Sequence, residues 1–337
     1  MKRQRPLWTG VLWVVALLAI AVAVLWYVPS GQIAISPGIT GNLKQMIAVK
    51  GGHKPGPGKL LMVAIDVGTA NELQYLLGRF NPTVAFQPQQ LVLGGLSMNQ
   101  YVQYNNSLMQ QSQWAAEVAG ESLAGLPAKV ITVPGALVVG VAKTGAAAGK
   151  LKAGDLITHI GPYPVTNYAD VRHVMSHFKV GEIVNITVTR SGQQLVIPIK
   201  TTHIKGDPEP AVGVLVAPLQ RPVIPRRVAI KAQGIGGPSA GMMFALEIYE
   251  QVTGKNLAKG HIVAGTGEIT PSGQVQVIGG VQQKVVTVYR AGARLFLVPK
   301  GNYAAAESMA KKLGYHMTIL PVANIHQALK DLESQGS

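Results

Sequence analysis

The sequence contains no cysteine, and this absence removes several kinds of chemistry at once. Without thiols the chain has no disulfide framework, no thiolate metal site and no cysteine nucleophile. Aromatic residues make up only 6% of the chain, and no zinc-finger or RNA-binding motif is present, so nucleic acid is not the expected partner. Acids are also scarce, because 15 Asp and Glu face 30 Lys and Arg, for a net charge of +15. That charge favours an anionic partner surface such as lipid headgroups.

One segment near the start lacks charge altogether. Residues 7–28 contain no charged side chain and are rich in Val, Leu, Ala and Ile, which predicts a single transmembrane helix. The flank at residues 1–6 carries three basic residues, and the next charge after the segment is Lys44. The positive-inside rule therefore predicts a single-pass protein of a bacterial cell membrane, with a cytoplasmic N-terminus and an extracytoplasmic region from about residue 29. A cleaved signal peptide is the alternative, but the long apolar core without a clear small-residue cleavage site favours a retained anchor.

A serine lies at a glycine-lined turn in the second half of the chain. Ser239 belongs to the run Gly-Ile-Gly-Gly-Pro-Ser-Ala-Gly at residues 234–241. Residues 228–232 read as a strand and residues 240–252 as an apolar helix, so the serine stands at a helix N-terminus. Free N–H groups from Gly237 to Ala240 can stabilise an oxyanion there. A serine that only caps the helix is the alternative role.

A lysine lies on the apolar side of a second predicted helix, at residues 281–291. Lys284 shares that side with Val281 and Val288, and Gln283, Thr287 and Arg290 share the opposite, polar side. Because desolvation disfavours an ammonium ion, burial can bring a lysine pKa from about 10.4 to near neutrality. A neutral amine at pH 7 is a general base. The alternative is a lysine that reaches solvent along its aliphatic stem.

Five ordered blocks around these two residues resemble the proteolytic domain of Lon-type proteases. They are Gly237-Pro-Ser-Ala-Gly241, Gly265-Thr-Gly-Glu-Ile269, Gly273-Gln-Val275, Ile278-Gly-Gly-Val-Gln-Gln-Lys284 and Ala291-Gly-Ala-Arg-Leu-Phe-Leu-Val-Pro299. The resemblance implies that Ser239 and Lys284 form a catalytic dyad and that Thr266 orients the lysine. It implies neither cofactor nor metal. Many Lon enzymes carry an acidic residue three positions before the serine, and here that position is Gly236.

The middle of the chain resembles a PDZ domain. Short apolar segments surround one predicted helix near residues 168–177, and the most specific piece is Leu151-Lys-Ala-Gly-Asp-Leu-Ile157. PDZ domains bind an extended peptide by adding it as a strand to a sheet edge. We expect the loop that binds the peptide carboxylate near Val133–Leu137. A small β-rich spacer without ligand is the alternative.

The PDZ-like region is predicted to interrupt the protease fold. Residues 58–66 read as a strand and residues 104–123 as a helix similar to one that Lon proteolytic domains place well before the serine. Too few residues lie between His203 and Ser239 to provide both elements again. The predicted fold class is therefore α+β, with protease parts at residues 45–127 and 205–334, a PDZ domain at residues 128–204 and a preceding transmembrane helix.

Other motifs in the chain are incomplete. Residues 145–151 lack the length and the Ser/Thr of a Walker A loop, so proteolysis is predicted to be independent of ATP. His173 and His177 have helical spacing but no adjacent glutamate, which favours surface histidines over zinc ligands.

The predicted function is a membrane-anchored serine endopeptidase that cleaves secreted or membrane-anchored proteins and peptides. Gly237–Gly241 also fits the nucleophile elbow of an α/β-hydrolase, with Glu268 and His316 in the required order. That alternative lacks the His-Gly-Gly-Gly loop of many such enzymes. A second alternative is a membrane-tethered PDZ adaptor with an inactive protease fold.

Overall fold

The computed structural model describes residues 7–142, 144–204 and 207–334. Their contacts divide the chain into two compact units, the first comprising Met1–Lys129 and Ile224–Ser337 and the second Val130–Val223. The second unit extends beyond residue 204, because a strand at Val214–Val223 belongs to its sheet. The chain thus leaves the first unit after residue 129 and returns to it at residue 224.

The strands and helices are numbered in chain order. The strands are β1 Pro29–Asn42, β2 Ile47–Val49, β3 Lys59–Asn71, β4 Ala85–Pro88, β5 Lys129–Val141, β6 Leu156–Ile160, β7 Tyr163–Pro164, β8 Ile183–Arg190, β9 Gln193–Lys200, β10 Thr202–Ile204, β11 Asp207–Ala211, β12 Val214–Val223, β13 Val228–Ile230, β14 Ile262–Gly265, β15 Glu268–Ile269, β16 Val275–Gln276, β17 Leu295–Pro299 and β18 Thr318–Val322. The helices are α1 Leu7–Tyr27, α2 Leu43–Met46, α3 Glu72–Gly78, α4 Gln89–Leu93, α5 Met98–Leu123, α6 Asp170–Met175, α7 Gly241–Thr253, α8 Val281–Arg290, α9 Tyr303–Lys312 and α10 Ile325–Ser334, with a 3-10 turn at Lys300–Asn302.

A six-stranded sheet in the order β18-β17-β14-β3-β1-β4 forms the centre of the first unit. The four strands from β18 to β3 are parallel, and β1 and β4 are antiparallel to their neighbours. Side chains alternate across a strand, so Leu60 and Met62 of β3 pack with α5, α7 and α10, and Leu61 and Val63 pack with α8 and α9. The sheet therefore separates two helical layers.

Helix α7 is buried around its whole circumference. Every residue from Gly241 to Val252 is buried, which is typical of a helix packed on all sides. The helix approaches β14 closely, since a Cβ on Gly265 would collide with Sδ of Met243. It also lies against α5, where a Cβ on Gly120 would lie 2.6 Å from the carbonyl oxygen of Ala245. Glycine at these two positions lets the backbones come together.

The helices predicted at residues 104–123, 240–252 and 281–291 are confirmed as α5, α7 and α8. Helix α5 begins six residues earlier than predicted because Ser97 caps it, in a reciprocal capping box with Gln100.

The second unit has its own sheet, in the order β12-β5-β6-β8-β9 with β7 paired to β6. Its core includes Ile157, Ile160 and Ile186 of the strands and Val174 of helix α6. Strand β5 runs without interruption from Lys129 to Val141. A bidentate ion pair between Arg190 and the buried Asp155 ties β8 to the turn before β6.

The predicted transmembrane helix at residues 7–28 is wrong. Helix α1 covers this segment, with side chains described from Val11 onward. Within the described residues no helix is long and apolar enough to cross a membrane. The predicted single-pass location in a bacterial cell membrane depended on that helix and is corrected with it. Residues 1–6, predicted as a cytoplasmic flank, lie outside the described residues.

A buried carboxyl group on α7 is expected to make stability depend on pH. Glu247 is fully buried, and its Oε1 accepts a hydrogen bond from Nε2 of Gln251 at 2.8 Å. Its Oε2 has no partner among the described atoms. Burial raises the pKa of Glu247 to about 7. The folded protein therefore holds this proton at pH values where the unfolded chain has already released it.

We expect the free energy of unfolding to fall as pH rises through the window from about 4.5 to 7, by on the order of 3 kcal/mol from this group. Glu247→Gln should lose this pH-dependent part, because an amide does not ionise. Urea unfolding at pH 5 and pH 8 measures the difference, with Glu72→Gln on α3 as the control. Equal pH dependence in wild type and Glu247→Gln would contradict the assignment.

Candidate active site

Ser239 is held at the start of α7 by contacts from α5. The backbone N–H of Gly237 donates to the carbonyl oxygen of Asn105 at 2.8 Å. Oγ of Ser112 donates to the carbonyl oxygen of Pro238 at 2.8 Å. Gly237 has φ 85°, a conformation that favours glycine. These contacts fix the turn that presents the serine side chain.

Neither Asn105 nor Ser112 was predicted from the sequence to support the serine. For Ser112 a signal was present, because it lies on the same side of α5 as Met109 and Ala116, both of which are buried. A serine within an apolar stripe needs a hydrogen-bond partner. For Asn105 no signal existed, since its contact uses a backbone carbonyl.

Lys284 reaches Ser239 from the opposite helical layer. Its side chain is 1% exposed, and its Nζ lies 2.7 Å from Oγ of Ser239. The same Nζ donates to Oγ1 of Thr266 at 2.8 Å. The predicted burial of the lysine is confirmed, and the structure brings all three polar groups together.

Thr266 lies at the end of β14, where the two helical layers meet. Its hydroxyl donates to the carbonyl oxygen of Ser239 at 3.0 Å, so it can only accept the hydrogen bond from Lys284. A neutral amine has two N–H groups and one lone pair. With one N–H directed to Thr266, the lone pair is free to accept the hydroxyl proton of Ser239.

Burial alone sets the ionisation of the lysine. Desolvation lowers the pKa of Lys284 to about 7. A large part of the protein therefore carries a neutral amine near neutral pH, as a general base requires.

The free N–H groups beside the serine are fewer than predicted. The N–H of Gly237 is used by Asn105, and Pro238 has none. Among the described residues no acceptor bonds the N–H groups of Ser239 and Ala240. These two groups are the available donors for an oxyanion at this helix N-terminus.

The serine and lysine open into a cleft of about 770 Å³ within the first unit. Its walls come from β1, β3, α5, the loop before Ser239 and the segment before α8. Most of its side chains are apolar or small, including Ile39, Ile65, Val102, Ile235 and Val277. A cleft of this size accommodates several residues of an extended peptide.

The structure corrects the predicted polar side of α8. Gln283 and Thr287 are buried, because this side of the helix faces β1. There Oγ1 of Thr287 accepts a hydrogen bond from the N–H of Gly38 at 3.1 Å and donates to the carbonyl oxygen of Gln283 at 3.2 Å. The hydroxyl satisfies a backbone group that a valine would leave unpaired.

The histidines of the alternative interpretations have other surroundings. His316 is exposed and is not among the residues that line the cleft. In the second unit, His177 stacks on Tyr163 with ring centroids 4.9 Å apart. Within the described residues no three His, Asp or Glu side chains are arranged to hold a metal ion.

A serine hydroxyl beside an amine of near-neutral pKa, at a helix N-terminus and in an open cleft, defines a candidate serine hydrolase site. Comparison with known proteins identifies two domain types. Residues 228–334 match the Lon protease (S16) C-terminal proteolytic domain, and residues 102–201 match the PDZ domain. The chain therefore carries a region similar to the proteolytic domain of Lon proteases, which are serine endopeptidases, together with a region similar to a PDZ domain.

The chain is also similar to individual known proteins. Lon protease of Buchnera aphidicola subsp. Schizaphis graminum is 40% identical over 94 residues, which cover 28% of this chain and 12% of the relative. Lon protease of Chloroflexus aggregans is 32% identical over 93 residues, covering 28% and 11%. The matches thus span about a tenth of these curated relatives. The solved PDZ domain of an SdrC-like protein from Listeria innocua is 32% identical, with a TM-score of 0.23, covering 24% of this chain and 92% of that one.

We expect the reactivity of Ser239 to follow the ionisation of Lys284. Below pH 7 the rate of acylation by an activated ester should rise about tenfold per pH unit, and it should level off above pH 7 because the amine is then neutral. Stopped-flow detection of the released alcohol measures this rate. A profile that continues to rise to pH 10 would show that the lysine keeps its ordinary pKa.

Proposed function

We propose that this protein is a serine endopeptidase that cleaves proteins or peptides through an acyl-enzyme, with Ser239 as nucleophile and Lys284 as general base. The observation that carries the proposal is the 2.7 Å contact between Nζ of Lys284 and Oγ of Ser239 at the wall of the cleft. Peptide bonds are the expected substrate, because the catalytic domain is of the Lon type.

In the proposed reaction the neutral amine of Lys284 takes the hydroxyl proton as Oγ of Ser239 attacks the scissile carbonyl carbon. The N–H groups of Ser239 and Ala240 stabilise the oxygen that becomes negative. Lys284 then gives its proton to the leaving amine, and the acyl group remains on the serine. In the second half Lys284 takes a proton from a water molecule as the water oxygen attacks the acyl carbon. The bond between that carbon and Oγ of Ser239 then breaks, Lys284 returns the proton to Oγ, and the carboxylic acid product leaves. Thr266 keeps the amine oriented in both halves.

The second unit offers a sheet edge for peptide binding. Strand β12 is the last strand of its sheet and pairs only with β5 among the described strands. Its residues are at most partly buried. An exposed edge strand presents unpaired backbone groups that an extended peptide can bind. We therefore propose that Val214–Val223 forms the edge to which a peptide ligand is added.

The carboxylate-binding loop predicted near Val133–Leu137 does not fit this edge. These residues lie inside β5, which has β12 on one side and β6 on the other. Strand β5 is bonded to β12, and at Ala136 and Leu137 also to β6, which leaves no open edge for a peptide strand at these two residues.

The two alternative functions have less support. An α/β-hydrolase would need a histidine at the serine, and His316 is outside the cleft lining. An inactive adaptor has no need for a buried amine within hydrogen-bond distance of a serine, since burial of a lysine is costly. The prediction of extracytoplasmic substrates rested on the membrane helix and is not retained.

Single substitutions at the dyad should abolish cleavage. Ser239→Ala and Lys284→Ala should each lower kcat/KM for a fluorogenic peptide by at least about 10³-fold, because nucleophile and base act as a unit. Lys284→Arg should fail too, since a guanidinium stays charged. Thr266→Val should lower the rate by about 100-fold, because the amine loses its orientation.

The matched controls are Ser308→Ala and Lys311→Ala, two exposed residues of α9. Both should keep full activity, and circular dichroism should show the same fold for every variant. Cleavage at the wild-type rate by Ser239→Ala would refute the proposed nucleophile.

Removal of the second unit should separate catalysis from peptide capture. The chain returns to the first unit at residue 224. Two residues later, the backbone N–H of Arg226 donates to Oε2 of Glu121, near the end of α5, at 3.1 Å. The two chain ends are thus brought together within the first unit. Replacement of residues 130–223 by a short Gly/Ser linker should preserve labelling of Ser239 by an acyl probe.

The full chain should cleave substrates that carry a peptide bound by the β12 edge faster than substrates without it. The variant that lacks residues 130–223 should cleave both at the same rate. Such a peptide is first selected from a random C-terminal library by affinity for the full chain. Unchanged kcat/KM for substrates bearing it would show that the edge does not capture substrate.

A further inference from the structure

The charges of the active-site cleft are opposite to those of the whole chain. The protein has 30 basic and 15 acidic residues. Among the described residues that line the cleft, however, the acids are Asp66 and Glu268 and the only base is Lys284. Because burial favours the neutral form of that lysine near pH 7, the two carboxylates dominate the charge of the cleft.

Neither carboxylate has a partner among the described residues. The side chains of Asp66 and Glu268 make no hydrogen bond or ion pair with any described residue. Burial raises the pKa of Glu268, and no described cation or donor opposes this effect. Glu268 is partly buried, whereas Asp66 is exposed. A carboxylate that is partly desolvated without compensation, as Glu268 is, is stabilised when a cation comes close. In a chain with twice as many bases as acids, two unpaired acids in one cleft indicate a ligand that supplies the cation.

The positions of the two acids place them where a substrate passes. Glu268 follows Gly267, whose N–H donates to the carbonyl oxygen of Ser239 at 2.7 Å. Asp66 belongs to β3, next to the apolar Ile65 and Val67 of the same wall. They thus belong to two different elements that both border the cleft of the nucleophile.

We propose that Asp66 and Glu268 make this cleft selective for peptides with a lysine or arginine side chain close to the scissile bond. This inference rests on the proposed function and adds the substrate class. An ammonium or guanidinium group pairs with a carboxylate by a charge-assisted hydrogen bond, and the apolar lining of the cleft packs against the aliphatic stem of the same side chain.

Matched fluorogenic peptides test the proposal. The peptides share one apolar sequence and carry Arg, Gln or Glu at one of three positions on either side of the scissile bond. With wild type, kcat/KM for the Arg peptide should exceed that for the Glu peptide by at least about tenfold at one or more positions. The preference should weaken in high salt, because the carboxylates are partly exposed.

The variants assign the preference to the two residues. Asp66→Asn combined with Glu268→Gln should lower kcat/KM for the Arg peptide by about tenfold more than for the Gln peptide. Glu268→Lys should favour the Glu peptide. The control Glu72→Gln, on α3 outside the cleft, should keep the wild-type preference.

A wild-type protein without preference, or a preference that survives in the double variant, would overturn the proposal. An equal loss of kcat/KM for all three peptides in the double variant would also overturn the selectivity, and Glu268 would then be a positioning residue.

A binding measurement keeps this test separate from the proposed activity. Fluorescence anisotropy with Ser239→Ala should give tighter binding of the Arg peptide than of the Glu peptide, and the added double substitution should remove the difference. If wild type neither cleaves any peptide nor reacts with an acyl probe, the proposed function fails, and this measurement still decides the selectivity. If wild type cleaves all peptides equally and Ser239→Ala binds them equally, only the selectivity fails.

Discussion

The burial of one amine, that of Lys284, constrains the rest of the catalytic unit. A lysine side chain that is 1% exposed is tolerated only if its charge is lost or its hydrogen bonds are met. Here two hydroxyl groups lie within 2.8 Å of Nζ, and the pKa falls to about 7. Helix α8 supplies the amine, α7 begins beside the serine, and the end of β14 supplies Thr266. The two helical layers must therefore meet at one end of a parallel strand, which is where α/β sheets commonly place their sites.

Helix α5 provides the second support, although it precedes the inserted unit in the chain. Its Asn105 and Ser112 fix the turn before Ser239 through backbone groups. Its Glu121 accepts a hydrogen bond from the returning chain at Arg226. A catalytic turn that depends on a helix about 120 residues earlier explains how a whole unit can be inserted between them, because the insertion leaves these contacts intact.

Charge has different roles in the two regions where a peptide is expected. The cleft carries two unpaired carboxylates in a basic protein, which gives selectivity for the side chains of a substrate. The edge strand β12 offers backbone groups, which recognise an extended chain whatever its side chains. A peptide can thus be selected by main-chain pairing in one unit and by charge in the other.

The sequence alone indicated the two residues of the proposed dyad, the three helices around them and the presence of both domain types, because glycine-rich turns and helical periodicity are local properties. It did not determine the buried state of Gln283 and Thr287, since only the packing of α8 against β1 hides that side. The occupied N–H of Gly237 also depends on a distant carbonyl, that of Asn105. The predicted membrane helix was wrong, because no helix among the described residues is long and apolar enough to cross a membrane. Tertiary structure decided which strands lie at the edges of the sheet in the second unit, because strand pairing joins residues that are far apart in the chain.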